Sequence, residues 1–158
     1  MTQPGLTHVD ESGHARMVDV SGKDVTAREA RASGRVLLSA AAIAALRAGA
    51  VPKGDALAVA RIAGIQGAKR TPDLVPLCHP IAVHSVTVEL EVTDDAVLVE
   101  ATVRTADRTG VEMEALSSGT VAALALIDMV KAIDPTAVSS DVRGEEKSGG
   151  KTGTWRRP

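Results

Sequence analysis

The sequence predicts an α+β fold of the ferredoxin-like kind, β-α-β-β-α-β, with an antiparallel sheet and its helices packed on one face. Three observations predict it. Val86, Val88, Leu90 and Val92 alternate with Ser85, Thr87, Glu89 and Glu91, and after Asp94-Asp95 the alternation resumes at Val97, Val99, Ala101 and Val103. That is a β-hairpin with one buried face. Residues 110–134, GVEMEALSSGTVAALALIDMVKAID, follow the hairpin and form one long helix, apolar almost all round. Ahead of the hairpin lie a weaker strand signal and two short helical segments, which supply the first β-α half.

Residues 1–17 are polar without apolar periodicity and are expected to be a flexible arm. His8, Asp10, Glu11 and His14 lie in it, and nothing fixes them as metal ligands rather than solvated side chains. Ala30, Ala32, Val36 and Leu38 alternate as a strand, with Gly34 a plausible bulge. Ser39 caps a short Ala-rich helix that Gly49 and Pro52 stop. Asp55 caps a second helix running to residue 70. Gly64 and Gly67 inside it cost about 1 kcal/mol each against Ala, which implies close approach of another backbone. Pro72, Pro76 and Pro80 forbid regular structure and predict a stiff loop.

In the long helix, Thr109-Gly110 offers the cap, and Glu112 and Glu114 suit the positive end of the dipole. Asp134-Pro135 stops it. Met113, Leu116, Thr120, Ala123, Ile127 and Val130 form one apolar stripe, whereas Val121, Leu126 and Met129 point elsewhere. A final strand is expected early in TAVSSDVRGEEKSGG, and residues 148–158 form a glycine-rich basic tail.

At 158 residues the chain is expected to be a single domain, 1–158. Its 44% hydrophobic and 24% charged residues are ordinary, but Trp155 is its only aromatic side chain. A core of Ala, Val, Leu and Ile buries little area per residue, so a homo-oligomer is expected. Without stacking platforms and with a formal net charge of −2, nucleic acid is not an expected partner. The single Cys78 cannot pair within the chain, no signal peptide is visible, and the apolar run at 36–50 is too short and broken for a membrane span. The cytoplasm is the expected compartment, with no membrane partner.

Asp128 and Lys131 stand three apart in the long helix, hence on one face. Such a pair is ordinarily a solvated ion pair; in an apolar setting it is also a site candidate. Cys78-His79 is a weak metal-ligand signal, because two adjacent ligands have no partner motif. KSGGKT at 147–152 fails the Walker pattern, since Glu145 stands where the first glycine belongs and no helix follows. Lys147 and Lys151 around Ser148-Gly149-Gly150 still have the means to hold phosphate, or form a solvated tail. Lys53, Arg61, Lys69 and Arg70 read first as solvated cations.

ARIAGIQGAKRTPDLVPLCHP, TGVEMEALSSGTVAALALIDMVKA and KSGGKTG, in this order and spacing, resemble the molybdenum cofactor biosynthesis protein C family, the cyclic pyranopterin monophosphate synthases. The resemblance spans about residues 6–155. It implies a ferredoxin-like fold and a hexamer built as a trimer of dimers, with sites between subunits. It also implies a lyase reaction in which a cyclised dihydroguanosine triphosphate becomes the cyclic pyranopterin monophosphate and diphosphate leaves. Carried over by position, Asp128 and Lys131 match the catalytic pair. Leu77, Cys78, His79, Met113 and Glu114 match substrate-contacting segments, with Glu112 beside the pocket. Lys53 and Lys147 match lysines near the phosphates, and Arg61 and Lys69 sit in matching motifs. No cofactor is implied, and no metal site. Residues 143–146, Arg-Gly-Glu-Glu, depart from the family's more apolar pattern. The alternative is a non-catalytic oligomer that binds a phosphorylated small molecule, with Asp128 and Lys131 structural.

Overall fold

The computed structural model describes residues 7–151 and 153–158. In chain order its elements are β1 (Thr26–Leu37), α1 (Ala40–Ala48), α2 (Ala56–Lys69), α3 (Thr71–Leu74), β2 (Ser85–Val92), β3 (Ala96–Asp107), α4 (Glu112–Val130), β4 (Val138–Ser148) and β5 (Trp155–Arg156). The sheet runs β2-β3-β1-β4-β5, with every neighbouring pair antiparallel. The first four strands have the expected ferredoxin-like order, and β5 adds a short edge. Residues 1–6 of the expected arm lie outside the described residues; 8–16 make a small turn closed by the bridge Val9–Ala15.

Alternation decides the two faces of the sheet. Ala30, Ala32 and Val36 of β1, Val88 of β2 and Val97, Val99, Ala101 and Val103 of β3 are buried beneath the helices. The opposite face carries Glu29, Arg31, Glu100 and Arg104, with Arg31 paired to Glu100 at 3.2 Å and Arg104 to Glu29. The bulge expected at Gly34 lies in its partner strand. Between the pairs Ser33–Arg143 and Arg35–Ser140, β4 sets two residues, Asp141 and Val142, against the single Gly34, and Asp141 takes a positive φ of 55°. Gly34 makes room for them, since a Cβ there would meet Val142 Cγ2 at 3.0 Å.

In the helical layer, α2 runs antiparallel along α4. A Cβ on Gly64 would stand 3.1 Å from the Ser118 carbonyl, and one on Gly67 would stand 2.9 Å from that of Ser117. Both glycines therefore serve the close approach that their presence in a helix implied. Ser39 and Asp55 cap α1 and α2 through Ala42 N (3.2 Å) and Ala58 N (3.0 Å).

Three expectations are corrected. The proline-rich segment is not wholly irregular: residues 71–74 form α3, because Pro72 stands in a first turn, where its missing N–H is no loss. The long helix spans 112–130 rather than 110–134. Val111 is its N-cap without a side-chain hydrogen bond, and Lys131 begins a closing turn. Its buried face is Ala115, Ser118, Gly119, Ala122, Ala123, Leu126, Met129 and Val130, so Ala123 and Val130 of the expected stripe face inward, whereas its Met113 and Thr120 are exposed. The reason is steric. Helix α2 comes so close that only small side chains fit beneath it, so Ser118 and Ala122 face inward and Met113, Thr120 and Leu124 face out. By length and composition α4 would cross a membrane, yet half of it is buried against the sheet and α2, as the core helix of this domain.

Candidate active site

At the C-terminal end of α4, three charges from two segments meet. Lys131 Nζ lies 2.8 Å from Asp128 Oδ1, and Lys53 Nζ lies 3.1 Å from Oδ2 and 3.2 Å from Oδ1. Lys53 belongs to the loop before α2. It arrives here because α2 starts where the antiparallel α4 ends. The hydrogen bond from Lys131, then that from Lys53, holds the Asp128 carboxyl below the ordinary aspartate range. The trio is open to solvent rather than embedded in apolar surroundings as the sequence suggested, because residues 128 and 131 lie on the outward face of α4 while Leu126, Met129 and Val130 take the inward one.

The N-terminal end of the same helix gathers a different set. Glu114 is 1% exposed. The Cys78 thiol donates toward its Oε1 at 3.5 Å, and Oε2 has no partner among the described residues. Burial pushes the Glu114 carboxyl up. Burial, with Glu114 adding to it, pushes the Cys78 thiol up to about 11, so Cys78 is neutral near pH 7. His79 turns the other way, its ring Nε2 on the Val18 carbonyl, so the adjacent Cys and His diverge instead of forming a ligand pair. Leu77 is half-buried beside them, and Met113 is 41% exposed.

Lys147, near the end of β4, pairs with Glu112 at 3.3 Å. Beyond that pair opens a cavity of about 290 Å³, lined by Lys23, Arg28, Lys147 and Lys151, by the carboxylates Asp24, Glu29 and Glu112, and by Ser148, Gly149 and Gly150. Gly149 and Gly150 have positive φ of 93° and 74°. A Cβ on Gly149 would collide with the Ala27 carbonyl, and one on Gly150 with the Arg28 guanidinium. The glycines thus let a bare backbone turn lie against β1 among four cations and three carboxylates, the cations and the glycine N–H groups being the parts suited to phosphate oxygens.

The two clusters are separate within one chain. From Glu114 to Asp128 is fourteen helical residues by number, so about 21 Å along the axis. The remaining sequence candidates divide the same way. Lys69 stands exposed in the last turn of α2, toward the Glu114 end. Arg61 lies midway, its Nε donating to the Val88 carbonyl at 3.0 Å on the edge strand β2. A larger depression of about 530 Å³ lies on the helix-free face of the sheet, among Arg35, Glu89, Glu91, Glu100 and Arg143. None of the sequence candidates lines it. The sequence did not point to Lys23 and Arg28: no local pattern marks them, and only the pairing of Glu29 with Ser148 sets them beside the glycine turn. Nor did any spacing join Lys53 to Asp128.

The sequence model of the MoaC family matches residues 17–150. The chain is similar to the cyclic pyranopterin monophosphate synthase of Streptomyces griseus, 70% identical over 156 residues, covering 99% of this chain and 88% of that relative. The one from Streptomyces avermitilis is 68% identical over 155 residues, covering 98% and 91%. Cyclic pyranopterin monophosphate synthase 3 of Mycobacterium tuberculosis is 54% identical over 153 residues, covering 96% and 86%.

Proposed function

Because the chain belongs to the MoaC family, we propose that it is a cyclic pyranopterin monophosphate synthase. As a lyase of molybdenum cofactor biosynthesis, it converts (8S)-3′,8-cyclo-7,8-dihydroguanosine 5′-triphosphate to cyclic pyranopterin monophosphate and releases diphosphate. The observation that carries the site assignment is Asp128 held between Lys131 and Lys53. Rearranging a purine-derived ring needs successive proton transfers, and a carboxylate touching two ammonium groups is a base and two acids within one hydrogen-bonded set. Asp128 and Lys131 are the catalytic pair, and Lys53 completes their set.

Closing a cyclic phosphate with loss of diphosphate is displacement at phosphorus, where positioning and charge neutralisation matter most. Lys147 and the glycine turn hold the phosphates. Glu112, Met113, Glu114, Leu77 and Cys78 line the pocket for the ring system, while His79, its ring on the Val18 carbonyl, meets the substrate only if it turns back. The buried Glu114 keeps one carboxyl oxygen, Oε2, without a partner among the described residues, for a ring group to meet. Lys69 lies near enough to that end to assist, whereas Arg61 binds the β2 edge first.

One substrate molecule cannot touch both clusters of one chain at about 21 Å apart. The site is therefore built between two copies. Met113, Thr120 and Leu124 are exposed on the outward face of α4, in line with Asp128 and Lys131. A second α4 laid antiparallel across Thr120 and Leu124 brings residues 112–114 of one copy beside 128–131 of the other, and a two-fold axis there makes two such sites. Three of these dimers make the hexamer. The cytoplasm, where a free thiol such as Cys78 stays reduced, is its compartment.

The test is direct. The protein, incubated with the cyclised guanosine triphosphate, releases one diphosphate for each pterin formed. Absence of both products, with the substrate bound but intact, would leave the non-catalytic binding oligomer as the reading.

A further inference from the structure

The C-terminal strand turns the glycine segment from a free tail into a turn tethered at both ends. Trp155 pairs with Lys147, and Arg156 with Glu146. Arg157 N donates to the Glu145 carbonyl at 2.9 Å, and its Nε to the Gly144 carbonyl at 2.7 Å. On the other side of β4, Lys147 pairs with Ala30 of β1. Residues paired across antiparallel strands project from the same face, so Trp155, Lys147 and Ala30 form a row on the helical side of the sheet. Together with Glu112 and Gly144 they border a cavity of about 210 Å³. Residue 147 thus stands between Ala30 on one strand and Trp155 on the other, with Glu112 at 3.3 Å from its ammonium. The Arg157 guanidinium, 5.8 Å from the indole centroid, holds the ring in turn.

Resting on the reading that Lys147 and the glycine turn hold the substrate's phosphates, we propose that Trp155 is a positioning residue for Lys147. A lysine stem has more rotamers to lose on binding than almost any other side chain. An indole wall removes some of them before the ligand arrives, and preorganisation of this kind appears in affinity rather than in the chemical step. Strand β5 also fixes the far end of the turn, so the backbone N–H groups of Gly149 and Gly150 keep their place beside β1. Trp155 is the one aromatic side chain of the protein, so its emission reports on this corner alone.

The experiment measures kcat and KM for the cyclised triphosphate in the full chain and in Trp155→Ala, Trp155→Phe, Trp155→Thr, Lys147→Ala and the Trp155→Ala/Lys147→Ala double variant. Inorganic diphosphate is titrated into the unaltered protein and into Lys147→Ala while tryptophan emission is read. Trp155→Ala is expected to raise KM about tenfold with a much smaller change in kcat, Trp155→Phe to recover most of it, and the double variant to be no worse than Lys147→Ala alone. Diphosphate is expected to shift the emission, and Lys147→Ala to abolish that shift. Threonine keeps a strand-forming residue without the ring, so Trp155→Thr must show the same KM increase at an unchanged melting temperature even where alanine loosens β5. If Lys147→Ala raises KM and neither Trp155→Ala nor Trp155→Thr does, the inference is overturned and the phosphate reading stands. Additive losses in the double variant overturn it too. If Lys147→Ala leaves KM untouched, the phosphate reading itself falls, and the role given to Trp155 falls with it.

Discussion

A buried carboxyl costs free energy when it ionises unless donors surround it, and Glu114 has the Cys78 thiol on one oxygen and, among the described residues, no partner for the other. Its folded-state proton affinity is raised by burial, so between the ordinary glutamate range and the raised value the folded protein binds more protons than the unfolded chain. Stability contributed by this group is then greatest at low pH and declines as pH rises through that window. Glu114→Gln removes the titration, so its melting temperature is expected to vary less with pH just above the glutamate range. A parallel curve, offset but equally steep, would show that Glu114 does not titrate there. Asp128 presents the opposite case, a carboxylate open to water and held ionised by two lysines. Exposed ion pairs contribute little to stability. Asp128→Asn and Lys131→Ala are therefore expected to abolish turnover, at least about a hundredfold, while melting temperature and assembly stay unchanged. Near-normal activity in either variant would remove that residue from the catalytic pair.

At the scale of elements, the junction of α2 and α4 carries the site, because it sets Lys53 against one end of α4 and the Cys78 loop against the other. Gly67 is its tightest point: an added Cβ would lie 2.8 Å from Val121 Cβ and 2.9 Å from the Ser117 carbonyl. Gly67→Ala is expected to destabilise the fold by about 1–3 kcal/mol through overpacking, outweighing alanine's better helix propensity. Chemical denaturation measures this, and a stabilised variant would mean that the helices separate at little cost. The closing turn of α4 depends on Asp134, which accepts from Ser39 N at 2.7 Å and from Thr136 N and Oγ1 at 2.9 and 2.6 Å. These bonds, the Thr136 hydroxyl's foremost, lower its proton affinity, so its contribution is present above the ordinary aspartate range and is lost as pH falls through the lowered value. Asp134→Ala is expected to cost about 1–3 kcal/mol near neutral pH, and the difference from the unaltered protein to shrink in acid. A pH-independent difference would assign the loss to packing.

For the whole molecule, the separation of the two clusters makes assembly part of catalysis. If each site takes residues 128 and 131 from one copy and 112–114 and 147 from another, a Lys131→Ala chain is inactive alone and a Lys147→Ala chain nearly so at substrate far below its raised KM. In a mixed dimer one of the two sites is intact. Random mixing makes half of the dimers mixed, so about a quarter of full activity is expected after subunit exchange. No recovery in exchanged mixtures, confirmed by mass, would confine the site to one chain. The sequence by itself determined the strand alternation, the caps at Ser39 and Asp55, the close approach at Gly64 and Gly67, and the order of the main elements, because each is written in neighbouring residues. Its motifs also determined the family, since LCHP, GVEMEAL and KSGGK recur as contiguous strings. Tertiary structure decided the rest. Which stripe of an all-round apolar helix faces inward depended on how closely α2 approaches, and the partner of Asp128 lies seventy-five residues away on a loop. The tail became a strand through pairing with β4, and the separation of the two clusters followed from the length of one helix. Burial and charge pairing depend on distances in space, which no local pattern records.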